Sequence, residues 1–367
     1  MDNMIEKINV IFVTYGMKFG GAEKVIATVA NSLVSRGNTC NIITLINDEC
    51  VYDLHKDIKV IPMLNKGGKP VGLDKFTAYR SLRAKVKALN PDVVIIMPEE
   101  ISAKAVPSLL GIKAKIVVSE RNNPWIMPNN KLNRALRKVF YPFVDGIIFQ
   151  TQMASEFFSG ILRKKGTIIL NPLDTSRIPS KEPVQVRNKT VVSVGRLAPQ
   201  KNHKLLIDSF RDFYRFYDDY KLLIYGDGPL KNELMEHARA NLYPDSYEFC
   251  GATNNVLEEI YDAGMFVMTS DYEGLPNALM EAMACGIPCI STDCPSGGPK
   301  SLIENRVNGI LCKVGDRPSL VKAMCSIADE PDNAKQLGCR AMEIKTIADP
   351  EIITQEWEDY LRKVIDI

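Results

Sequence analysis

The sequence has little histidine and no paired cysteines. Its 367 residues include 3 His and 9 Cys, and the cysteines are scattered singly along the chain. No Cys-x-x-Cys pair and no neighbouring His stands at the spacing of metal ligands. We therefore interpret the cysteines as reduced, mostly buried thiols, and we exclude a zinc module and a disulfide framework.

Long apolar runs are also missing. No run approaches the roughly 20 residues that a membrane span needs, and no segment has low complexity. The chain starts with acidic residues, Asp2 and Glu6, and leads directly into a strand-like run, which is not the pattern of a signal peptide. We therefore expect a cytosolic protein. A hydrophobic fraction of 46% over this length predicts two globular domains.

Net charge is low, but the charges are unevenly distributed. The formal net charge is +2, yet residues 1–178 carry 25 Lys and Arg against 15 Asp and Glu, and the remaining residues carry 21 against 29. Such an asymmetry indicates that the first half meets an anionic partner. Lipid headgroups, a diphosphate and nucleic acid all have this chemistry.

Short apolar runs alternate with amphipathic stretches along the whole chain, which is typical of βαβ units. We predict an α/β protein with two Rossmann-like, doubly wound domains that face a ligand cleft. The proline-containing stretch 171–183 is predicted as a linker, so that the domains are 1–178 and 184–349. A final helix at about 350–367 has an apolar stripe and is predicted to cross back to the first domain.

The alternation also predicts individual elements. In the first half the predicted strands are Ile8–Thr14, Asn41–Ile46, Val93–Met97, Ile116–Ser119 and Gly146–Gln150. The predicted helices there are Ala22–Ser35, Lys75–Leu89, Lys131–Phe140 and Met153–Leu162. In the second half the predicted strands are Thr190–Val194, Leu222–Tyr225, Tyr247–Cys250, Phe266–Thr269, Cys289–Thr292 and Gly309–Val314. The predicted helices there are 204–217, 230–241, 256–262, 277–284 and 317–328.

Two glycine-containing turns follow predicted strands and precede predicted helices. Gly20 and Gly21 open the first helix, where the helix dipole and backbone N–H groups favour a phosphate or a reacting sugar. A purely structural turn is the alternative at this position. In the second half Gly195 is followed by Arg196 and Lys201, whose guanidinium and ammonium suit a diphosphate. Surface basic residues at a strand end are the alternative there.

The segment 270–288 carries the strongest chemical signal. Glu273 is predicted at the carboxyl end of a strand beside a helix N-terminus, and Glu281 lies within that helix among apolar residues. A carboxylate buried in an apolar helix needs hydrogen-bonding partners, and the hydroxyl groups of a ligand are suitable ones. The segment therefore predicts a site for a hydroxyl-rich ligand.

Four motifs, in this order, resemble the retaining glycosyltransferases of family four, which have the GT-B fold. They are Gly20-Gly21-Ala22-Glu23, Gly195-Arg196 with Lys201-Asn202, Gly226-Asp227-Gly228-Pro229, and Glu273 with Glu281 after seven intervening residues. The resemblance spans practically the whole chain. The stretch 293–299 is further similar to bacterial enzymes that build lipid-linked glycans and capsules, several of which transfer GalNAc or galactose.

The resemblance implies roles for residues of the second domain. Arg196 and Lys201 would bind the donor's diphosphate and stabilise the leaving group, Glu281 would bind the ribose hydroxyls, and Glu273 would hold the sugar hydroxyls. Backbone groups would complete this binding site at Gly274, Leu275, Pro276, Asn277 and Ala278, which we call the cradle. Pro276 has no N–H to donate.

The resemblance also implies roles for glycines, which have no side chain and therefore leave space for the ligands. The resemblance implies that Gly20 and Gly21 let the acceptor half of the site reach the β-phosphate and the anomeric carbon. Gly226 would leave room for the base, with Asn254 or the adjacent Asn255 near its edge, and Gly195 is implied as a further donor-binding residue.

The sequence departs from the family pattern in two respects. Family members commonly carry a His at the end of the strand that is occupied here by 117–123, where this chain has none. We expect Glu120, Arg121 or Asn122 to take over part of that contact on the acceptor side, and the general base stays open. The sequence also has no Asp-x-Asp, so we expect no divalent metal and no cofactor, since Arg196, Lys201 and helix dipoles can neutralise the diphosphate.

Two basic helices account for much of the excess charge in the first half. They are Lys75–Leu89 and Lys131–Pro142, the second flanked by Trp125, Phe140, Tyr141 and Phe143. Aromatic residues beside Lys and Arg are typical of docking at anionic headgroups. A solvated helix face is the alternative. No nucleic-acid-binding motif accompanies the charge, so we do not expect nucleic acid as a partner.

The sequence therefore predicts a cytoplasmic glycosyltransferase that is peripheral to the inner face of the cytoplasmic membrane. It is expected to move a hexosyl or N-acetylhexosaminyl group from a UDP-sugar to a polyprenyl-diphosphate-linked glycan, with retention. A sugar-nucleotide epimerase and a non-catalytic nucleotide-sugar-binding subunit are the alternatives. A nicotinamide dehydrogenase ranks last because Gly-x-Gly-x-x-Gly is missing.

Overall fold

The computed structural model describes residues 6–18, 20–46, 49–63, 76–181 and 184–366. These residues form two compact units. The first unit contains the described residues up to Pro172 together with those from Pro350 onward, and the second unit contains Leu173–Asp349. The division after Pro172 lies six residues before the predicted end of the first domain, 178, inside the predicted linker.

The first unit is built on a parallel sheet, in which the described residues form seven strands in the order β3-β2-β1-β4-β5-β6-β7. The strands are Asn9–Thr14 (β1), Thr39–Thr44 (β2), Lys59–Pro62 (β3), Val93–Ile96 (β4), Lys115–Ser119 (β5), Gly146–Phe149 (β6) and Gly166–Ile168 (β7). Alternate residues of β1 enter different cores, since Ile11 and Val13 pack in one cluster and Val10 and Phe12 in another. The sheet is therefore covered on both faces, as a doubly wound fold requires.

Helices cover these two faces. They are Gly21–Ser35 (α1), Phe76–Leu89 (α2), Glu99–Leu109 (α3), Lys131–Phe140 (α4), Gln152–Glu156 (α5) and Gly160–Lys164 (α6). The single helix predicted over 153–162 is wrong, because Ser159 is extended and Gly160 has a φ of +59°, which separates α5 from α6. The predicted start of α2 at Lys75 lies outside the described residues.

The second unit repeats this architecture, and its described residues form six parallel strands in the order β10-β9-β8-β11-β12-β13. The strands are Thr190–Val194 (β8), Lys221–Tyr225 (β9), Tyr247–Gly251 (β10), Met265–Met268 (β11), Cys289–Thr292 (β12) and Ile310–Cys312 (β13). The helices are His203–Tyr214 (α7), Lys231–Asn241 (α8), Val256–Ile260 (α9), Asn277–Ala284 (α10), Gly298–Leu302 (α11), Arg317–Asp329 (α12), Pro331–Ala341 (α13) and Ile344–Ile347 (α14). The chain order reverses between β8 and β11, and ligands of doubly wound sheets bind at such a switch point.

The last helix, Pro350–Ile365 (α15), belongs to the first unit. It packs against α1, and its Trp357 side chain is fully buried with its ring centroid 6.1 Å from that of Phe12. Ile353 and Leu361 enter the same hydrophobic core. The predicted α/β class, the two Rossmann-like units and the return of the final helix are therefore confirmed.

Candidate functional site

Two loops of the second unit bring Lys201 and Glu273 together. Lys201 ends the short turn between β8 and α7, and Glu273 follows β11, which pairs directly with β8. The Lys201 Nζ lies 2.5 Å from the Glu273 Oε1, and the carboxylate side chain is only 8% exposed. The two residues predicted to act on the diphosphate and on the sugar thus form a partly buried, charge-assisted hydrogen bond.

Glu273 has further hydrogen-bonding partners. The Ser270 hydroxyl donates to Oε1 at 2.6 Å, and the Gln200 side-chain amide donates to Oε2 at 3.3 Å. Neither Ser270 nor Gln200 was identified from the sequence. Ser270 could have been identified from its position, because it directly precedes the acidic loop at the carboxyl end of a predicted strand.

Side chains also tie the two loops to each other. The Thr269 hydroxyl lies 3.0 Å from the carbonyl oxygens of both Lys201 and Asn202. Asn202, whose φ is +46°, donates from its amide to the Asp271 carboxylate at 2.8 Å, and the Asp271 N–H donates to the Gln200 carbonyl. This frame fixes the position of Lys201 relative to Glu273 before any ligand binds.

His203 lies next to this frame and was not assigned a role from the sequence. Its side chain is buried, and its Nδ1 has no hydrogen-bond partner among the described residues. Burial, together with the charge of Lys201, lowers the pKa of His203 to about 4. The imidazole is therefore neutral near pH 7 and adds no positive charge beside Lys201.

The loop after Glu273 leads into α10, which carries the second predicted carboxylate. The cradle residues Gly274, Leu275 and Pro276 are buried, Asn277 and Ala278 are partly exposed at the start of the helix, and Glu281 is buried one turn later. Because the N-terminus of α10 follows Glu273 so closely, its dipole adds positive potential beside the carboxylate and the ammonium.

Glycines allow the ends of β8 and β9 to approach closely. Gly226 has a φ of +136°, and a Cβ atom there would lie 2.0 Å from the Gly195 carbonyl oxygen. No other residue fits this position without moving the backbone. Arg196, the next residue after Gly195, is exposed, and Asn254 is exposed with its carbonyl accepting a hydrogen bond from Arg177 at 2.8 Å.

A second glycine-rich loop braces the cradle. The Glu273 N–H donates to the Pro295 carbonyl at 2.8 Å, and the Ser296 N–H donates back to the Glu273 carbonyl at 3.0 Å. A Cβ atom on Gly298 would lie 1.7 Å from the Gly274 carbonyl oxygen. The stretch 293–299, which suggested lipid-linked glycan enzymes, thus lies directly against the predicted sugar-binding loop.

Gly298→Ala should therefore damage the cradle. The added methyl group must displace the Gly274 carbonyl, and we expect kcat/KM for the donor to fall at least about tenfold, since small misplacements of binding groups are costly. Steady-state kinetics with a nucleotide-sugar donor measures this effect. Gly315→Ala is the control for a glycine substitution away from the cradle, because Gly315 has a strained φ of +74° but open space around its Cβ position. Equal losses in the two variants would contradict the proposed clash.

In the first unit the side chain of Tyr52 is hydrogen-bonded to the backbone of the predicted glycine turn. The Gly20 N–H donates to the Tyr52 hydroxyl at 3.1 Å, and that hydroxyl donates to the Gly20 carbonyl at 2.9 Å. A Cβ atom on Gly20 would lie 2.1 Å from a Glu23 carboxylate oxygen. Gly20 and Gly21 are both exposed at the start of α1.

Glu120, one of three predicted acceptor-side residues, lies inside the first unit. Its carboxylate accepts a hydrogen bond from the Tyr141 hydroxyl at 2.6 Å and lies 3.3 Å from the Arg137 guanidinium. The charge pattern predicts that Arg137 and Tyr141 belong to an exposed basic helix, and this prediction is wrong because both side chains are buried. Arg137 supplies an opposite charge, and Tyr141 a hydrogen bond, to a carboxylate that would otherwise be buried without a partner.

Arg121 and Asn122 are half-buried at the same end of the sheet. The Arg121 N–H donates to the Glu99 carboxylate at 3.1 Å, and its guanidinium bonds to the Asn171 side chain. Burial and the nearby charges of Glu100 and Glu120 raise the pKa of Glu99 well above its usual range. Glu99 was not identified from the sequence, and it places a carboxyl group beside the predicted acceptor-side residues.

Among the residues that the structure describes, no group of three or more His, Cys, Asp and Glu side chains is arranged to hold a metal ion. The expectation of a metal-free, cofactor-free site stays a prediction.

The family of the chain follows from two matches. Residues 19–177 match the model described as Glycosyltransferase Family 4, and residues 174–343 match the model described as Glycosyl transferases group 1. The two matches together cover most of both units. The chain therefore belongs to the glycosyltransferases with a GT-B fold.

Curated relatives and solved structures agree with this class. An uncharacterized glycosyltransferase of Haemophilus influenzae is 28% identical over 273 residues, which cover 74% of this chain and 76% of that protein. The N-acetylgalactosamine-N,N'-diacetylbacillosaminyl-diphospho-undecaprenol 4-alpha-N-acetylgalactosaminyltransferase of Campylobacter jejuni is 29% identical over 291 residues, which cover 74% and 77%. The structure of Anabaena HepE in complex with UDP-glucose has a TM-score of 0.80 and 17% sequence identity, and it covers 97% of this chain and 100% of that chain. This last likeness concerns the fold.

Proposed function

We propose that the protein is a retaining, metal-independent glycosyltransferase that uses a UDP-sugar. It transfers a hexosyl or N-acetylhexosaminyl group, of the GalNAc, galactose or glucose type, to a polyprenyl-diphosphate-linked saccharide. The observation that carries the proposal is the Lys201–Glu273 pair beside the N-terminus of α10. The Campylobacter relative, whose name specifies a diphospho-undecaprenol acceptor, and HepE, whose structure holds UDP-glucose, support this choice of acceptor and donor.

Charge stabilisation is the main catalytic task in this proposal. The bond between the anomeric carbon and the β-phosphate oxygen breaks, and the acceptor oxygen forms its bond on the same face of the sugar. The departing phosphate oxygen takes the acceptor's proton. Lys201, Arg196 and the α10 dipole stabilise the charge on the leaving diphosphate, and such preorganised groups are usually the largest contribution to catalysis.

The two carboxylates bind hydroxyl groups in this proposal. Glu273 holds the donor sugar, and Glu281 holds the ribose. The base binds beside Gly226, where a Cβ atom would meet the Gly195 carbonyl oxygen, so that only glycine allows the ends of β8 and β9 to approach this closely.

Product analysis tests the proposed reaction. The purified protein is incubated with UDP- and GDP-sugars and EDTA, with and without bacterial lipid-linked glycan, and released nucleoside diphosphate and product anomer are measured. We expect acceptor-dependent UDP release that persists in EDTA, yields an α-linked product and is lost in Glu281→Ala. Epimerised nucleotide sugar without an acceptor would indicate the epimerase, and donor binding without turnover would indicate a binding subunit.

The location of the acceptor implies a membrane-facing surface. Among the residues described, no helix is both long and apolar enough to cross a bilayer. We infer that the protein docks peripherally through an apolar-basic surface made of Leu132, Val139, Phe143, Lys131 and Lys138. The three apolar side chains are 62%, 56% and 63% exposed, and both lysines are exposed on the same helix. Apolar residues flanked by cations fit an anionic headgroup layer.

Replacing Leu132, Val139 and Phe143 together by serine should weaken membrane binding. Each loses an apolar side chain that would enter the headgroup region, so binding to vesicles with anionic lipid should fall roughly tenfold or more. Vesicle co-sedimentation at low and high salt measures the effect. Phe216→Ser, at an exposed position of the second unit, is the control. Unchanged binding of the triple variant would rule out this surface.

A further inference from the structure

We propose that Ser270 is a positioning residue that reserves one oxygen of Glu273 for the donor sugar. The inference rests on the proposed function, because it assumes that Glu273 binds a sugar hydroxyl. It goes further by assigning different roles to the two carboxylate oxygens and by naming the group that separates them.

The two oxygens of Glu273 differ in how they are occupied. Oε1 accepts from the Lys201 ammonium at 2.5 Å and from the Ser270 hydroxyl at 2.6 Å. Oε2 accepts, among the described residues, only from the Gln200 amide at 3.3 Å. Since each carboxylate oxygen has two lone pairs, Oε1 is saturated and Oε2 has one lone pair left for a substrate hydroxyl.

Gln200 holds Oε2 less firmly than Ser270 holds Oε1. The same Gln200 amide group donates to the Tyr272 carbonyl at 2.9 Å, which is the shorter of its two bonds. Its contact with Oε2 is at the long end of the hydrogen-bond range. The orientation of the carboxylate is therefore set from the Oε1 side.

Ser270 is itself rigidly held. It is fully buried directly after Thr269, and its carbonyl accepts a hydrogen bond from the Thr292 hydroxyl at 2.6 Å, at the end of β12. The hydroxyl that fixes Glu273 is thus anchored to two neighbouring strands. A site built on rigid elements keeps its geometry better than one on a free loop.

This arrangement predicts a selective defect in Ser270→Ala. Without the hydroxyl, Oε1 regains a free lone pair and the carboxylate can turn about its terminal bond, so the sugar hydroxyl loses a fixed acceptor. Loss of one hydrogen bond to a charged group should lower kcat/KM and affinity for the UDP-sugar by roughly tenfold to a hundredfold. UDP lacks the transferred donor sugar, and its affinity should change less than about twofold.

The experiment compares UDP-sugar and UDP binding by calorimetry, and donor turnover, in four proteins. They are the wild type, Ser270→Ala, Glu273→Gln and the double variant. If Ser270 acts through Glu273, Ser270→Ala should have little further effect in the Glu273→Gln background. Ser291→Ala is the matched control, because Ser291 is a buried serine on β12 whose hydroxyl donates to the Thr292 carbonyl.

The outcomes separate the inference from the proposed function. An equal loss of UDP and UDP-sugar affinity in Ser270→Ala, or a full additional loss in the double variant, would overturn the positioning role. A wild type that binds a UDP-sugar but transfers nothing would overturn the proposed function, while the binding comparison still decides the role of Ser270. A wild type that binds neither ligand would overturn both.

Discussion

Lys201→Met should reduce kcat by about a hundredfold to a thousandfold, because the variant loses a preorganised charge that stabilises the leaving diphosphate. It also leaves Glu273 buried without the ammonium 2.5 Å away. Steady-state kinetics with the donor identified by product analysis measures the loss. Lys204→Met is the control, since Lys204 is exposed within the same loop-to-helix segment.

The stability of the same variant separates catalysis from folding. Removing one partner of a buried ion pair is strongly destabilising, about 3–5 kcal/mol for fully buried pairs, and this pair is partly exposed, so a smaller loss is expected. Glu273→Gln added to Lys201→Met should restore part of the stability and none of the activity. Activity that returns together with stability would contradict the catalytic role of Lys201.

Trp357→Ala should destabilise the first unit by about 3–5 kcal/mol, as expected for removal of a fully buried large aromatic side chain. The indole fills the core between α15 and the sheet, where it contacts Phe12. Hydrogen exchange of the β1 and α1 amides measures the effect on this unit alone, which is necessary because a two-unit chain need not unfold in one step.

The control for this prediction lies on the same helix. Ile352 is 48% exposed, so Ile352→Ala should change the protection of these amides much less than Trp357→Ala does. Unfolding of the second unit should be nearly unaffected in both variants. Equal effects on both units would contradict the assignment of α15 to the core of the first unit.

Most of the fold was predictable because buried parallel strands appear as short apolar runs. The β8 and β12 bounds match the prediction, and the other strands of the second unit differ by at most two residues at either end. The two sheet-edge strands of the first unit, β3 and β7, were missed because they are short and only partly buried. The helix α3 was missed because Pro107 interrupts its pattern.

The candidate site was predictable residue by residue, but its internal contacts were not. Lys201 and Glu273 were singled out separately, and their contact depends on the pairing of β8 with β11, which periodicity does not specify. Ser270 holds Glu273 only because both follow the same strand end. Glu120 was expected near the acceptor, and its burial depends on Arg137 in a helix further along the chain.

The path of the chain through the two units has a consequence for folding during synthesis. The first unit is discontinuous, since its core needs α15 and the second unit is inserted between residues 172 and 350. On the ribosome the second unit can therefore complete its own core before the first unit can. Until α15 has been synthesised, the apolar surface that will receive Trp357 stays exposed. We therefore expect chaperones to bind the nascent chain at the incomplete first unit.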